Sequence, residues 1–176
     1  MKASMDSIKD LREQTSCGVI ECKKALEEAN GDFDKAKELL LKRGLEIAAK
    51  KAGRSANEGR IEAYIHLGSK IGVLLEVNCE TDFVARSEDF CQFTKDLAMH
   101  IAAMAPKYVK KEDVPPDALT GVANQEEYFK QNCLLLQPYV KDPKLTIQDY
   151  LNQLVGKIGE NILISRFVRF KVGESE

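Results

Sequence analysis

The sequence predicts an α+β protein: three short helices over residues 4–44, a linker, then a core domain with a three-stranded antiparallel sheet packed on helices. Three observations predict it. Apolar residues recur at helical spacing before residue 45, strict alternation begins at Ile61, and a β-prone run spans Ile162–Val172. The loop chemistry of Gly53-Arg-Ser-Ala-Asn-Glu-Gly59 divides residues 1–54 from residues 55–176.

The first helix places Met5, Ile8 and Leu11 on one face. After the Ser16-Cys17-Gly18 break, the second uses Val19, Cys22, Ala25, Leu26 and Ala29. Asn30-Gly31 supplies a left-handed stop, and Asp32 caps the third helix. That helix aligns Phe33, Ala36, Leu39 and Leu40 and is expected to end at Gly44. A bundle this small has little core, so caps and helix–helix contacts supply much of its stability. Leu45–Glu58 reads as a helical continuation dissolving into a linker, with Lys50, Lys51 and Arg54 either on a solvated face or touching phosphate or an acidic partner.

In the second domain, Ile61, Ala63, Ile65 and Leu67 alternate with Tyr64 and His66. Gly68-Ser-Lys70 turns the chain into Ile71–Cys79, where Val73, Leu75, Val77 and Cys79 alternate with Leu74, Glu76 and Asn78. Pairing Leu67 with Ile71 would put every odd-numbered apolar residue on one face and turn His66 away from Cys79. Ser87 caps a long helix carrying Phe90, Phe93, Leu97, Ile101 and Met104, with Pro106 beyond it. Lys107–Asn124 is an exposed excursion and Glu126–Leu136 is weakly helical. Thr146 caps a helix bearing Ile147, Tyr150, Leu151 and Leu154, and Ile162–Val172 forms the third strand. No internal repeat is evident, so the chain carries one copy of the sheet unit.

Composition excludes several classes of function. Charged residues make up 31% and net charge is −2, so no basic field recruits nucleic acid or anionic lipid. Lys107, Lys110 and Lys111 are interleaved with acids and leave little nucleic-acid footprint. Apolar runs fall short of a membrane span, and the first residues lack the apolar core of a signal peptide, so a cytoplasmic protein is expected. The five cysteines, without a C-x-x-C unit and with only two histidines, make neither a disulfide framework nor a zinc pattern. There is no phosphate-cradling Gly-x-x-x-x-Gly-Lys, no Gly-x-Ser-x-Gly and no His-Glu-x-x-His, so no enzyme and no cofactor are expected. Asn78, Glu80 and Asp82 lack the glycine and terminal glutamate of a calcium loop.

One segment stands apart. Thr81-Asp82-Phe83-Val84 sets an acid beside an aromatic just past the end of the strand Ile71–Cys79. Element ends are where a scaffold presents functional groups. The alternative is structural: Asp82 closes an Asx turn and Phe83 folds back into the core.

The run Leu11-Arg-Glu-Gln-Thr-Ser-Cys-Gly-Val-Ile-Glu-Cys-Lys-Lys-Ala-Leu-Glu-Glu-Ala-Asn-Gly-Asp32 closely resembles the start of the bacterial translation elongation factor Ts family. So do Lys50-Lys-Ala-Gly53, Glu76-Val-Asn-Cys-Glu-Thr-Asp-Phe-Val-Ala85, Lys157-Ile-Gly-Glu-Asn-Ile162 and Arg166-Phe-Val-Arg-Phe170. These blocks follow the family's order across residues 5–173 and resemble its short form with a single sheet subdomain. The resemblance implies a ubiquitin-associated-like first domain and a core domain that also mediates dimerisation. It implies a guanine-nucleotide exchange factor that binds the nucleotide-binding domain of elongation factor Tu. Arg12, Val19 and Ile20 would be first-domain contacts. Thr81, Asp82, Phe83 and Val84 would be the wedge that disturbs the partner's magnesium and phosphate site so that GDP leaves. Nucleotide and metal would then belong to the partner, in keeping with the missing phosphate loop. Short members are similar to homodimers. Two departures stand out: Val114–Leu136, before Gln137-Pro-Tyr-Val-Lys-Asp142, is shorter than usual, and there is one sheet subdomain where longer members have two.

The competing reading is an adaptor. A ubiquitin-associated-like bundle with Cys17-Gly-Val-Ile20 at its first loop suits a ubiquitin-like partner or a peptide without any exchange activity. A nucleic-acid binder ranks third, and salt-dependent RNA retention would favour it.

Overall fold

A computed structural model describes residues 4–15 and 17–174; Ser16, in the expected break, and the amino-terminal Met1–Ala3 lie outside the described residues. The chain forms two compact units, Met1–Arg54 with Leu151–Asn161, and Ser55–Tyr150 with Ile162–Glu176.

The first unit contains α1 (Met5–Thr15), α2 (Val19–Glu28) and α3 (Phe33–Lys51), together with most of α7 (Ile147–Ile158). Ile8, Leu11, Cys22, Ala25, Leu26, Ala29, Ala36 and Leu40 make one core cluster, with Cys17, Phe33 and Leu39 packed against it. Met5 and Val19, expected on the core faces, are exposed instead. The turn after α2 follows the expected chemistry. Asn30 and Gly31 take φ of 54° and 86°, and the Gly31 amide donates to the Leu26 carbonyl at 2.8 Å. The Asp32 carboxylate then accepts from the Lys35 amide at 3.1 Å.

Gly44 does not end α3, which runs on through it to Lys51. A Cβ at Gly44 would lie 3.2 Å from the Asn152 carbonyl oxygen, and one at Gly156 would lie 3.2 Å from the Gly44 Cα. Both glycines are there because α3 and α7 approach backbone to backbone.

The second unit contains β1 (Glu58–Ile65), β2 (Ile71–Cys79), α4 (Asp82–Ala85), α5 (Glu88–Met104), α6 (Gln125–Asn132), β3 (Pro138–Tyr139), β4 (Asp142–Thr146) and β5 (Ile162–Lys171). The main sheet has the order β1-β2-β5, antiparallel throughout. Val73, Leu75, Val77 and Cys79 of β2, with Ile162 and Ile164 of β5, are buried. Phe90, Phe93, Leu97 and Ile101 are buried on α5, which packs against β1 and β2.

The β1–β2 register differs from the expected one by one residue. The His66 amide donates to the Ile71 carbonyl at 2.9 Å, and Ile65 sits opposite Gly72. The loop is therefore four residues long, with Gly68 and Ser69 both left-handed at φ of 88° and 55°. One residue of slip sends every side chain of a strand to the other face. Arg60, Glu62 and Tyr64 thus share the side of Val73, Leu75 and Val77, and Ile61 and Ile65 lie on the open face, 67% and 65% exposed. His66 and Cys79 still form no dyad, for another reason: Cys79 pairs with Glu58, at the opposite end of the strand from the His66 turn. Gly59 is obligatory at φ 149°, since a Cβ there would lie 2.3 Å from the Val77 carbonyl oxygen.

Ser87 Oγ accepts from the Phe90 amide at 3.4 Å, and α5 stops at left-handed Ala105 before Pro106, with Met104 exposed rather than in the core. Thr146 and Asp149 cap each other at the start of α7, at 3.1 and 3.0 Å. The excursion after α5 is pinned at its base, where the Leu134 amide donates to the Tyr108 carbonyl at 2.9 Å. The β3–β4 pair was not expected from the sequence. Buried His100 holds its approach: Nε2 meets Gln137 Oε1 at 3.0 Å, and Nδ1 accepts from the Val140 amide at 3.3 Å. Among the described residues no helix is long and apolar enough to cross a membrane.

Candidate functional site

Beyond β2 the chain does not continue extended; it closes into the single helical turn α4. Thr81 is the hinge of that change. Its backbone stays extended at φ −130° and ψ 153°, while its hydroxyl oxygen accepts from the Val84 amide at 3.4 Å. The Thr81 carbonyl accepts from the Ala85 amide at 3.2 Å and from the Cys79 thiol at 3.1 Å. At the far end, Ser87 Oγ donates to the Val84 carbonyl at 2.8 Å, and Ala85 is buried. The turn is thus tied to the end of β2 on one side and to the cap of α5 on the other.

What this backbone presents is Phe83. Phe83 is 78% exposed, so it does not fold back into the core. Asp82 does not close the turn either, because Thr81 supplies the cap and the Asp82 carboxylate pairs with Arg86 four residues on. The Arg86 guanidinium also lies over the Phe83 ring, 5.9 Å from its centroid. Arg86 escaped the sequence reading, since an i,i+4 partner is only visible once α4 is known to be helical. Thr81, Asp82 and Val84 are partly buried around the exposed ring.

The other sequence candidates lie in the first unit. Gly18 precedes α2 in an extended conformation, and Val19 and Ile20 occupy the first turn, 48% and 69% exposed. Arg12 is exposed on α1, one residue after the fully buried Leu11. These apolar side chains at a helix start lie outside the core cluster that Cys22, Ala25 and Leu26 help to form. Both sets therefore offer contact surface rather than reactive groups. Among the described residues no three of His, Cys, Asp and Glu gather as a metal-binding group.

Comparison with known proteins identifies the family of the chain. The family model described as Elongation factor TS matches residues 5–127 and 121–174. The chain is 50% identical to the Elongation factor Ts of Caldanaerobacter subterraneus subsp. tengcongensis, covering 97% of each chain. It is 50% identical to that of Carboxydothermus hydrogenoformans, covering 95% of this chain and 88% of the relative. With that of Fervidobacterium nodosum the identity is 48%, over 99% of this chain and all of the relative. The first of these alignments runs over 194 positions, more than the 176 residues here, so the relative carries residues this chain lacks. The family match itself divides at 121–127, inside the shortened Val114–Leu136 segment. With a family model and relatives about half identical that match almost the whole chain, the protein belongs to the elongation factor Ts family of translation elongation factors.

Proposed function

We propose that the protein is a guanine-nucleotide exchange factor that binds elongation factor Tu in its GDP form and promotes GDP release. The first unit docks on the partner's nucleotide-binding domain through Arg12, Val19 and Ile20. Phe83, with Thr81, Asp82 and Val84 around it, wedges near the partner's magnesium and phosphate site. The observation that carries this reading is the exposure of Phe83 on a turn fixed at both ends. An aromatic ring left in water is available for transfer into a partner's groove, and aromatic anchors beside charges dominate interface energetics.

Such a factor needs no catalytic group, cofactor or metal of its own. It must bind nucleotide-free partner more tightly than loaded partner, and by linkage that difference equals the loss of GDP affinity. Mounting the wedge at the end of a paired strand keeps the insertion geometry when the partner resists. The division of residues 1–54 from 55–176 into a docking domain and a wedge-bearing core suits this mechanism.

The same reading includes a homodimer through the core domain. The face of the sheet away from α5 carries Ile61, Ile65, Leu74, Leu163, Val168 and Phe170, all exposed. A second copy would cover these apolar side chains, which the Glu76–Arg166 ion pair interrupts between Leu74 and Leu163. No nucleic acid or membrane takes part, and the working compartment is the cytoplasm.

The test is to mix the protein with elongation factor Tu carrying fluorescent GDP and follow the signal in stopped flow. Release faster than the spontaneous rate, rising with protein concentration, is expected. Complex formation without faster release would favour the adaptor reading.

A further inference from the structure

The bonds that fix α4 act on its backbone; none reaches the side chain of Phe83, a residue 78% exposed to water. Packing therefore does little to select one rotamer, and a side chain that must be ordered on binding weakens the complex. The groups in place to order it beforehand are charged. Asp82 and Arg86 form an i,i+4 ion pair across the single turn, with side chains 49% and 71% exposed. The paired guanidinium is 5.9 Å from the centre of the Phe83 ring, within cation–π range. Asp82 thus holds Arg86, and Arg86 lies over the Phe83 ring.

We propose that Arg86 is a positioning residue of the wedge, acting through Phe83, and that Asp82 acts mainly by holding Arg86. The inference rests on the reading of Phe83 as the wedge. Arginine suits the task because its planar, weakly hydrated guanidinium stacks on a ring while its edge pairs with a carboxylate. Lysine can keep the ion pair, but not that stacking. If only part of the free protein holds the ring ready, the apparent affinity for the partner falls by that fraction.

The experiment measures GDP release from elongation factor Tu by the full chain and by Arg86→Gln and Arg86→Lys, each also in a Phe83→Ala background. It also records the Phe83 ring resonances of the free protein by NMR, assigned by their loss in Phe83→Ala. Arg86→Gln is expected to raise the half-saturating concentration about three- to tenfold, with less than a twofold change in release rate at saturation. Arg86→Lys should fall between it and the wild type. In the Phe83→Ala background the same substitution should change the half-saturating concentration less than twofold, because the ring it acts on is gone. The ring resonances should shift in Arg86→Gln, with the melting temperature unchanged. An equal effect of Arg86→Gln in both backgrounds would overturn the proposal, since Arg86 would then touch the partner itself. No effect in either, or unmoved ring resonances, would overturn it too. If the wild-type chain released no GDP, the exchange reading would fail, and the ring resonances would still decide whether Arg86 holds Phe83.

Discussion

Truncating Phe83 separates a wedge from a core residue, because the two roles are read by different instruments. With Phe83 78% exposed, only about a fifth of the residue's surface is removed from water on folding. Full burial of a phenylalanine is worth about 1.5–3 kcal/mol, so Phe83→Ala should cost about 0.5 kcal/mol of folding stability. For a chain of this size that shifts the melting temperature by about 1–2 °C. A fully packed core phenylalanine would instead cost about 3–5 kcal/mol. Binding should show the opposite balance. Loss of a central aromatic anchor costs about 2 kcal/mol or more, which raises the concentration needed for half-maximal GDP release about thirtyfold. Asp82→Ala should cost less, since that carboxylate meets Arg86 rather than closing the turn. The assay pairs thermal melting with GDP release on the same two variants. A Phe83→Ala protein that melts 8 °C or more below wild type, yet exchanges normally when folded, would refute the reasoning.

Three further outcomes are expected. Val19→Asp or Ile20→Asp should weaken elongation factor Tu binding while circular dichroism stays unchanged, since both side chains lie outside the helical core; unchanged affinity in both would remove the docking assignment. Sedimentation should show a dimer at micromolar protein, and Leu74→Glu, at the centre of the open sheet face, should return it to monomer; a wild-type monomer at that concentration would contradict the interface. Burial holds the His100 imidazole below its ordinary value of 6.5, so between 6.5 and the lowered folded value the unfolded chain binds more protons and stability falls as pH falls. Denaturation from pH 7.5 to 5 should show that loss, at most about 1.4 kcal/mol per pH unit, and His100→Asn should flatten it; an equal slope in the variant would show that other groups carry it.

What the sequence made legible was the chemistry that acts locally. Asp32, Ser87 and Thr146 were readable as caps because a capping oxygen answers amides two or three residues away. The buried face of β2 followed from alternation alone. Gly44 was misread because its cause lies more than a hundred residues away, in α7. The β1 register was misread because alternation says which residues share a face, but not which face they meet across a turn. That was decided by one extra loop residue at Gly68-Ser69. The site showed the same division. Motif resemblance singled out Thr81–Val84, yet the exposure of Phe83, the cap by Thr81 and the reach of Arg86 all depend on a helical turn just past the strand, whose geometry the residue types alone did not specify.

The central claim is that the protein promotes release of GDP and then leaves. One measurement addresses it most directly: elongation factor Tu loaded with fluorescent GDP, excess unlabelled GDP, and the protein at one-twentieth of the partner's concentration. The account predicts that all the fluorescent GDP is released, faster than spontaneously, because each molecule serves many partners in turn. Release at the spontaneous rate, even when the protein is raised to equimolar, would contradict it.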